Sequence, residues 1–361
     1  MEAVSVLFVL PSGGGGGGSN SVAQEARGLS QLGIDVSVAV NTPNHSKLVA
    51  NYPELQARNV PVLSYANPAE LAQQLKISSV VVATTNASVY DVCDARAELQ
   101  KADPQARPRF AYYVQDYEPL FYPAHSERWT RARKSYTALA DGVLFAKTQW
   151  LCDIVYANHG IKVEKVKPSI DHDVHYPNLR RPNKDVTIAA MLRPSTQRRA
   201  PRRTARIMRA IGEKHSASLQ VFGAGNDELL SAGIELPANV RNWGVLRRTE
   251  VPELLRNSDL FLDLSDYQAF GRTGLEAMAC GCIPLVPALG GVTEYASHGR
   301  NAFVVDTRCD RQVLNAVDNF MSMEPATRAA IRHSALETGA EFTIVKSALS
   351  ELRLFRRLAS A

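Results

Sequence analysis

The chain has 361 residues, of which 45% are hydrophobic and 21% charged, and its 41 lysines and arginines outnumber its 36 aspartates and glutamates for a formal charge of +5. That length calls for two domains, each with its own core, and that composition excludes a disordered or collagen-like chain. No long uncharged apolar run and no leader-peptide pattern is present, so the expectation is a cytoplasmic protein.

Residues 4–10 form a continuous apolar run, as a parallel strand covered on both faces requires. Glycines fill positions 13–18; Ser19 or Asn20 is then the expected cap of a helix that reaches about Leu32 and stops at Gly33. Further strands are expected over 36–40, 79–83, 110–114, 142–145 and 163–166, with helical stretches between most of them. A polar, proline-bearing, non-periodic stretch over 169–183 reads as a linker. A second series of strands follows at 186–191, 219–222, 260–264, 283–286 and 303–305. The expectation is an α/β chain of two Rossmann-like domains, 1–168 and 184–340, facing a cleft. The segment 341–361, with a helix over about 342–358, is expected to cross back onto the first domain.

The most informative stretch runs from Phe270 through Gly271, Arg272, Thr273 and Glu276 to Pro284. A glycine turn opens a helix, a carboxylate sits one turn in, and Gly281 ends it before a buried strand. A helix N-terminus offers free N–H groups and a positive dipole end to a phosphate, and a neighbouring carboxylate can accept from sugar hydroxyls. Together they read as a nucleotide or nucleotide-sugar site. Arg193, with Arg198 and Arg199 just beyond, places permanent positive charge near a strand end, where it suits a diphosphate. Gly223 and Gly225 fit a tight turn after a strand.

The glycine tract satisfies Gly13-x-Gly15-x-x-Gly18, but any such run does, and no acidic residue closes the strand 36–40, which leads into Asn41. That argues against a nicotinamide-dependent dehydrogenase. His172 and His175, with Asp171 and Asp173, look like metal ligands only superficially, because they fall in the linker; no metal site is expected. Cys280 and Cys282 lie among small residues, where tight packing accounts for them. Arginines cluster at 198–203, at 128–134 and at 353–357, either as solvated helix faces or as contacts for an anionic partner. Nucleic acid is not expected: there is no recognisable binding module, and aromatics make up 7%.

With these pieces in order, the chain resembles the retaining glycosyltransferases of family 4, which have the GT-B architecture. The likeness rests on the early glycine loop, Ile170-Asp171 followed by Tyr176-Pro177, Leu192-Arg193, Phe222-Gly-Ala-Gly225, the block 270–284 and Gly290-Gly291-Val-Thr-Glu294. The segment 112–123, which holds Gln115-Asp116-Tyr117-Glu118, further resembles the bacterial rhamnosyltransferases of that family.

The resemblance implies roles for particular residues. Glu276 would hold the ribose. Gln268 stands where the family's Glu-x7-Glu pattern has its first glutamate, beside the donor sugar, and so loses a charge there. Arg193 would stabilise the leaving diphosphate, with Arg198 or Arg199 in place of a usual lysine. Phe270, Gly271, Arg272 and Thr273 would line sugar and phosphates. Gly223 and Gly225 would lie where the nucleotide passes, and the backbone at Val245 by the base. Gly14 and Gly15 would face the donor phosphate. Asp116 or Glu118 would position or deprotonate the acceptor hydroxyl, with Tyr117 and Glu118 on the acceptor side.

The implied activity is sugar transfer from a nucleoside-diphosphate donor, with rhamnose from the narrower likeness. Transfer would retain the anomeric configuration and require no metal or other cofactor. The acceptor would be a saccharide or lipid-linked saccharide in bacterial polysaccharide synthesis, with basic clusters touching the inner face of the membrane. A nucleotide-sugar epimerase or phosphorylase, a dehydrogenase and a catalytically weak sugar-nucleotide-binding protein remain as alternatives.

Overall fold

The computed structural model describes residues 4–178 and 185–360, so residues 179–183 of the expected linker lie outside the described residues. The chain divides into two compact units, Met1–Ser169 with Phe342–Ala361, and Ile170–Glu341.

The first unit runs β1 (Ser5–Val9), α1 (Gly17–Gln31), β2 (Asp35–Asn41), α2 (Thr42–Asn51), α3 (Pro53–Ala57), β3 (Val62–Tyr65), α4 (Pro68–Lys76), β4 (Val80–Ala83), α5 (Asn86–Ala102), β5 (Arg109–Val114), α6 (Glu127–Ala138), β6 (Val143–Ala146), α7 (Gln149–His159) and β7 (Val163–Lys165). Its strands form one parallel sheet in the order β3-β2-β1-β4-β5-β6-β7. The central strands are apolar and buried because helices cover both faces. Between β1 and β4 the winding reverses, which opens the crevice where such sheets bind ligands.

The second unit runs β8 (Thr187–Met191), α8 (Pro201–Lys214), β9 (Ser218–Phe222), α9 (Asn226–Ser231), β10 (Val240–Asn242), α10 (Val251–Arg256), β11 (Leu260–Leu262), α11 (Arg272–Ala279), β12 (Ile283–Pro287), β13 (Phe303–Val305), α12 (Asp310–Ser322) and α13 (Pro325–Glu341). Its parallel sheet has the order β10-β9-β8-β11-β12-β13, so its reversal falls between β8 and β11. Both units are Rossmann-like, as expected.

Two local readings need correction. Helix α1 starts at Gly17, inside the glycine tract, with Gly16 as its cap and no capping side chain; neither Ser19 nor Asn20 caps it. Edge strands β3 and β10 were not anticipated; both are short, and each has only one buried residue. Within the expected linker, Asp171 and His175 are buried, at 1% and 4% exposed, while Tyr176 to Asn178 are exposed. Burial of Asp171 is supported by an ion pair with Arg248 at 2.6 Å.

Helix α14 (Ile344–Ala359) closes the chain and belongs to the first unit, where it lies against α1. A buried charge cluster joins them. Lys147, just after β6, places Nζ 2.9 Å from Glu25 of α1, 2.5 Å from Glu351 of α14 and 2.7 Å from Ser347 Oγ. Burial pulls the ammonium pKa down, but Glu25 and Glu351 outweigh it and hold Lys147 above the ordinary lysine range. One cation cannot neutralise two carboxylates. Burial and the charge of Glu25 push Glu351 up to about 8, against the pull of Lys147.

A raised carboxyl binds its proton more tightly folded than unfolded, so its contribution to stability is complete below the ordinary value of 4.5 and is lost as pH rises through about 8. The melting temperature should therefore fall between pH 5 and about 8. Glu351→Gln, which stays neutral throughout, should flatten this fall; an unchanged slope in calorimetry would show that Glu351 does not contribute to it.

Candidate active site

In the second unit, the expected donor residues Arg193, Arg198 and Arg199 follow β8, Gly223 and Gly225 follow β9, Val245 follows β10, and Phe270 to Glu276 follow β11; β8 and β11 flank the reversal. Arg193, Arg198 and Arg199 lie between β8 and α8. The guanidinium of Arg193 is exposed and has no hydrogen bond or ion pair among the described residues. Arg198 stacks over the Tyr267 ring at 5.4 Å, and Arg199 lies 3.8 Å from Asp263.

Asp263, at the end of β11, is buried. One of its oxygens accepts from Ser265 Oγ at 2.5 Å and Ser265 N–H at 3.2 Å; the other accepts from Gln268 Nε2 at 2.6 Å. Gln268 Nε2 also reaches Ser265 Oγ at 3.1 Å. Thr307 donates to the Ser265 carbonyl at 2.6 Å, and Gly291 N–H to the Gln268 carbonyl at 2.8 Å. The loop after β11 is thereby pinned at several points before it reaches α11.

Helix α11 starts at Gly271, whose φ of +79° belongs to the left-handed region. A Cβ there would lie 2.7 Å from Tyr295 Oη and 2.9 Å from Val292 Cγ1, so any side chain would strain the backbone and force its neighbours to shift. Tyr295 Oη also donates to the Gly271 carbonyl at 2.7 Å. Phe270 meets the Tyr295 ring edge to face at 5.6 Å. The backbone of Arg272 and Thr273 forms the first turn, where N–H groups have no intrahelical acceptor.

Glu276 follows on the same helix. Its side chain is 13% exposed, and His175 Nε2 is 3.8 Å from one of its oxygens. The Asp171 carbonyl lies 3.2 Å from His175 Nδ1 and can only accept, so Nδ1 carries a hydrogen and Nε2 faces Glu276. Gly223 closes the end of β9 by donating to the Gly244 carbonyl at 2.7 Å, and Gly225 precedes α9. Val245 is exposed in the loop after β10; neighbouring Trp243 stacks under Arg241 at 3.6 Å and donates to Gln220.

In the first unit, Gly14 and Gly15 have φ of +96° and +85°, and Tyr52 Oη accepts from Gly15 N–H at 3.3 Å. Gln115, after β5, reaches the same crevice: a Cβ on Gly18 would lie 3.1 Å from its Oε1, and its Nε2 donates to the Thr84 carbonyl. Asp116 is 9% exposed and accepts from Tyr117 N–H at 2.9 Å. Tyr117 is buried, with its hydroxyl 3.2 Å from His159 Nε2. Burial, and then Arg133, push His159 down to about 4, which keeps that ring neutral.

Glu118 is 7% exposed, and both its oxygens are engaged by the Asn86 backbone and side chain, with Tyr112 Oη at 3.2 Å. Burial pushes its carboxyl up to about 7. Its position ties the loop after β5 to the start of α5. Tyr112 and Tyr113 are core residues, while Phe121 is exposed.

Sequence reasoning missed Asp263, Ser265 and His175. A carboxylate in an otherwise apolar run that ends a strand is the signal that points to Asp263. Among the described residues, no group of three His, Cys, Asp or Glu side chains is disposed to hold a metal ion.

Residues 198–337 match the family described as glycosyl transferases group 1. The match covers β9–β13 and the whole loop that carries Asp263, Gln268 and Glu276. Mannosylfructose-phosphate synthase of Agrobacterium fabrum is 31% identical over 104 residues, 28% of this chain and 22% of that protein. D-inositol 3-phosphate glycosyltransferase of Stackebrandtia nassauensis is 31% identical over 94 residues, 26% of this chain and 21% of that protein. The aligned stretches thus span under a quarter of these relatives. The crystal structure of Anabaena HepE in complex with UDP and glucose shares the fold over 98% of this chain and 100% of its own, with a TM-score of 0.78 at 16% identity.

Gly271→Ala should cost about 1–3 kcal/mol for the forced left-handed backbone alone, with the Tyr295 contact adding to it. Urea unfolding measures this loss; a variant as stable as the parent would show that the turn before α11 can relax.

Proposed function

We propose that the protein is a glycosyltransferase that moves a sugar from a nucleoside-diphosphate donor to a hydroxyl of a saccharide or lipid-linked acceptor. The observation that carries this reading is Glu276. Its carboxylate lies on a helix opened by Gly271, makes no hydrogen bond among the described residues, and belongs to the same unit as the exposed Arg193. A carboxylate so placed accepts from ribose hydroxyls, while the helix N-terminus and arginines take the diphosphate.

In this reading the second unit does most of the electrostatic work. Arg193, with Arg198 or Arg199, stabilises the charge that grows on the departing diphosphate. Backbone N–H groups of Arg272 and Thr273 hold its oxygens, and Phe270 and Gln268 lie by the donor sugar. Val245 and the turn at Gly223 and Gly225 border the nucleoside. In the first unit, Gly14 and Gly15 let backbone approach the donor phosphate, and Asp116 and Tyr117 orient the acceptor hydroxyl. Glu118 acts by fixing their loop, because its own oxygens are engaged. The departing phosphate can take the acceptor's proton.

The HepE complex with UDP and glucose supports this class of donor. Retention of configuration and a role in polysaccharide synthesis follow from the family likeness, and rhamnose from the segment 112–123. Among the described residues no helix is long and apolar enough to cross a membrane. We place the enzyme in the cytoplasm at the inner face of the membrane, where the basic residues of α6 and α14 would meet anionic lipid.

Thermal shift against UDP, GDP, dTDP, their sugars and NAD tests the donor class. One nucleoside diphosphate should stabilise the chain by about 2.7 kcal/mol at a hundred times its dissociation constant. Stabilisation by NAD alone would overturn the proposal.

A further inference from the structure

The polar network after β11 does more than hold a loop. Gln268 is 4% exposed, and its amide nitrogen has two hydrogens, which Asp263 Oδ2 and Ser265 Oγ accept at 2.6 and 3.1 Å. A carboxylate accepts only, so the amide cannot be turned the other way round without setting its oxygen against an anion. Gln268 Oε1 is therefore left as the side chain's only acceptor, and it makes no hydrogen bond among the described residues. The Asp263 carboxylate meanwhile lies within hydrogen-bond distance of position 268, with Arg199 3.8 Å from it.

We infer that Asp263 is a positioning residue: it locks the Gln268 amide so that Oε1 accepts from a hydroxyl of the donor sugar, and it carries the negative charge that position 268 itself lacks. This rests on the donor site proposed above. It also gives a physical reason for the glutamine. A glutamate at 268 in the same conformation would set two carboxylates about 2.6 Å apart in a buried site, where like charges cannot both persist. Charge at 263 and charge at 268 are thus alternatives. The pair discriminates for ligands that present a hydroxyl donor to Oε1.

Three variants of the full chain test this: Asp263→Asn, Gln268→Glu and the double substitution. The probe is whichever hexose derivative of UDP, GDP or dTDP stabilises the wild type most, with release of its nucleoside diphosphate as the activity readout. Each single variant should lose about tenfold or more in turnover, the scale of a hydrogen bond to a charged group. The nucleoside diphosphate alone should still stabilise each variant, which also shows that each variant is folded. In the double variant the amide moves to position 263 and can donate to the carboxylate now at 268, so turnover should recover to within about threefold of the wild type.

A Gln268→Glu single variant as active as the wild type would overturn the inference, and so would a double variant no better than the worse single one. A wild type that no nucleotide stabilises would remove the donor site itself and this inference with it. Stabilisation of the wild type together with either of the first two results would remove the inference alone.

Discussion

The carboxylate of Asp263 lies inside the second unit at the point where β11 ends and the sheet's winding reverses. A buried anion must be met by donors, and the loop beyond it supplies them from Ser265 and Gln268, with Arg199 from the loop after β8. Satisfying that one charge fixes the course of the chain from 263 to 270. The fixed loop then delivers Gly271 to a left-handed turn that favours glycine, and the turn starts α11 with Glu276 on it. The sheet decides where the site lies; the buried carboxylate decides how its side chains are aimed.

The first unit meets a similar problem with the opposite sign. Lys147 is a buried cation between α1 and α14, and two carboxylates and a serine surround it. α1 begins inside the glycine tract, so anchoring α14 against α1 also anchors the loop that holds Gly14 and Gly15. The C-terminal helix is therefore a structural part of the unit that carries the glycine loop. Its departure in sequence from that unit is a matter of chain order only.

Much of this was legible in the sequence because parallel strands buried on both faces read as plain apolar runs. The central strands β1, β4, β5, β8, β9 and β12 announce themselves this way. The edge strands β3 and β10 do not: each has one neighbour, is half open to solvent and mixes polar with apolar residues. The block 270–284 was legible because glycine, carboxylate and small residues sit in one helical turn pattern. Asp171 and His175 were not, because polarity suggests exposure and their partners Arg248 and Glu276 are remote in sequence. Asp263 hid for the same reason: its meaning comes from Gln268 and Arg199, and the folded sheet brings Arg199 to it. The engagement of Glu118 was not legible either, since an acidic residue on a loop gives no sign that its oxygens meet the start of α5.

The central claim is that Glu276 binds ribose, and calorimetric titration with UDP and its 2′,3′-dideoxy analogue tests it most directly, with GDP or dTDP analogues substituted if those bind better. Removing the hydroxyls should weaken binding to the wild type by about tenfold to a hundredfold, the scale of hydrogen bonds to a charged acceptor. For Glu276→Gln the same removal should cost much less. An equal loss in both proteins would place the ribose away from Glu276 and contradict the account.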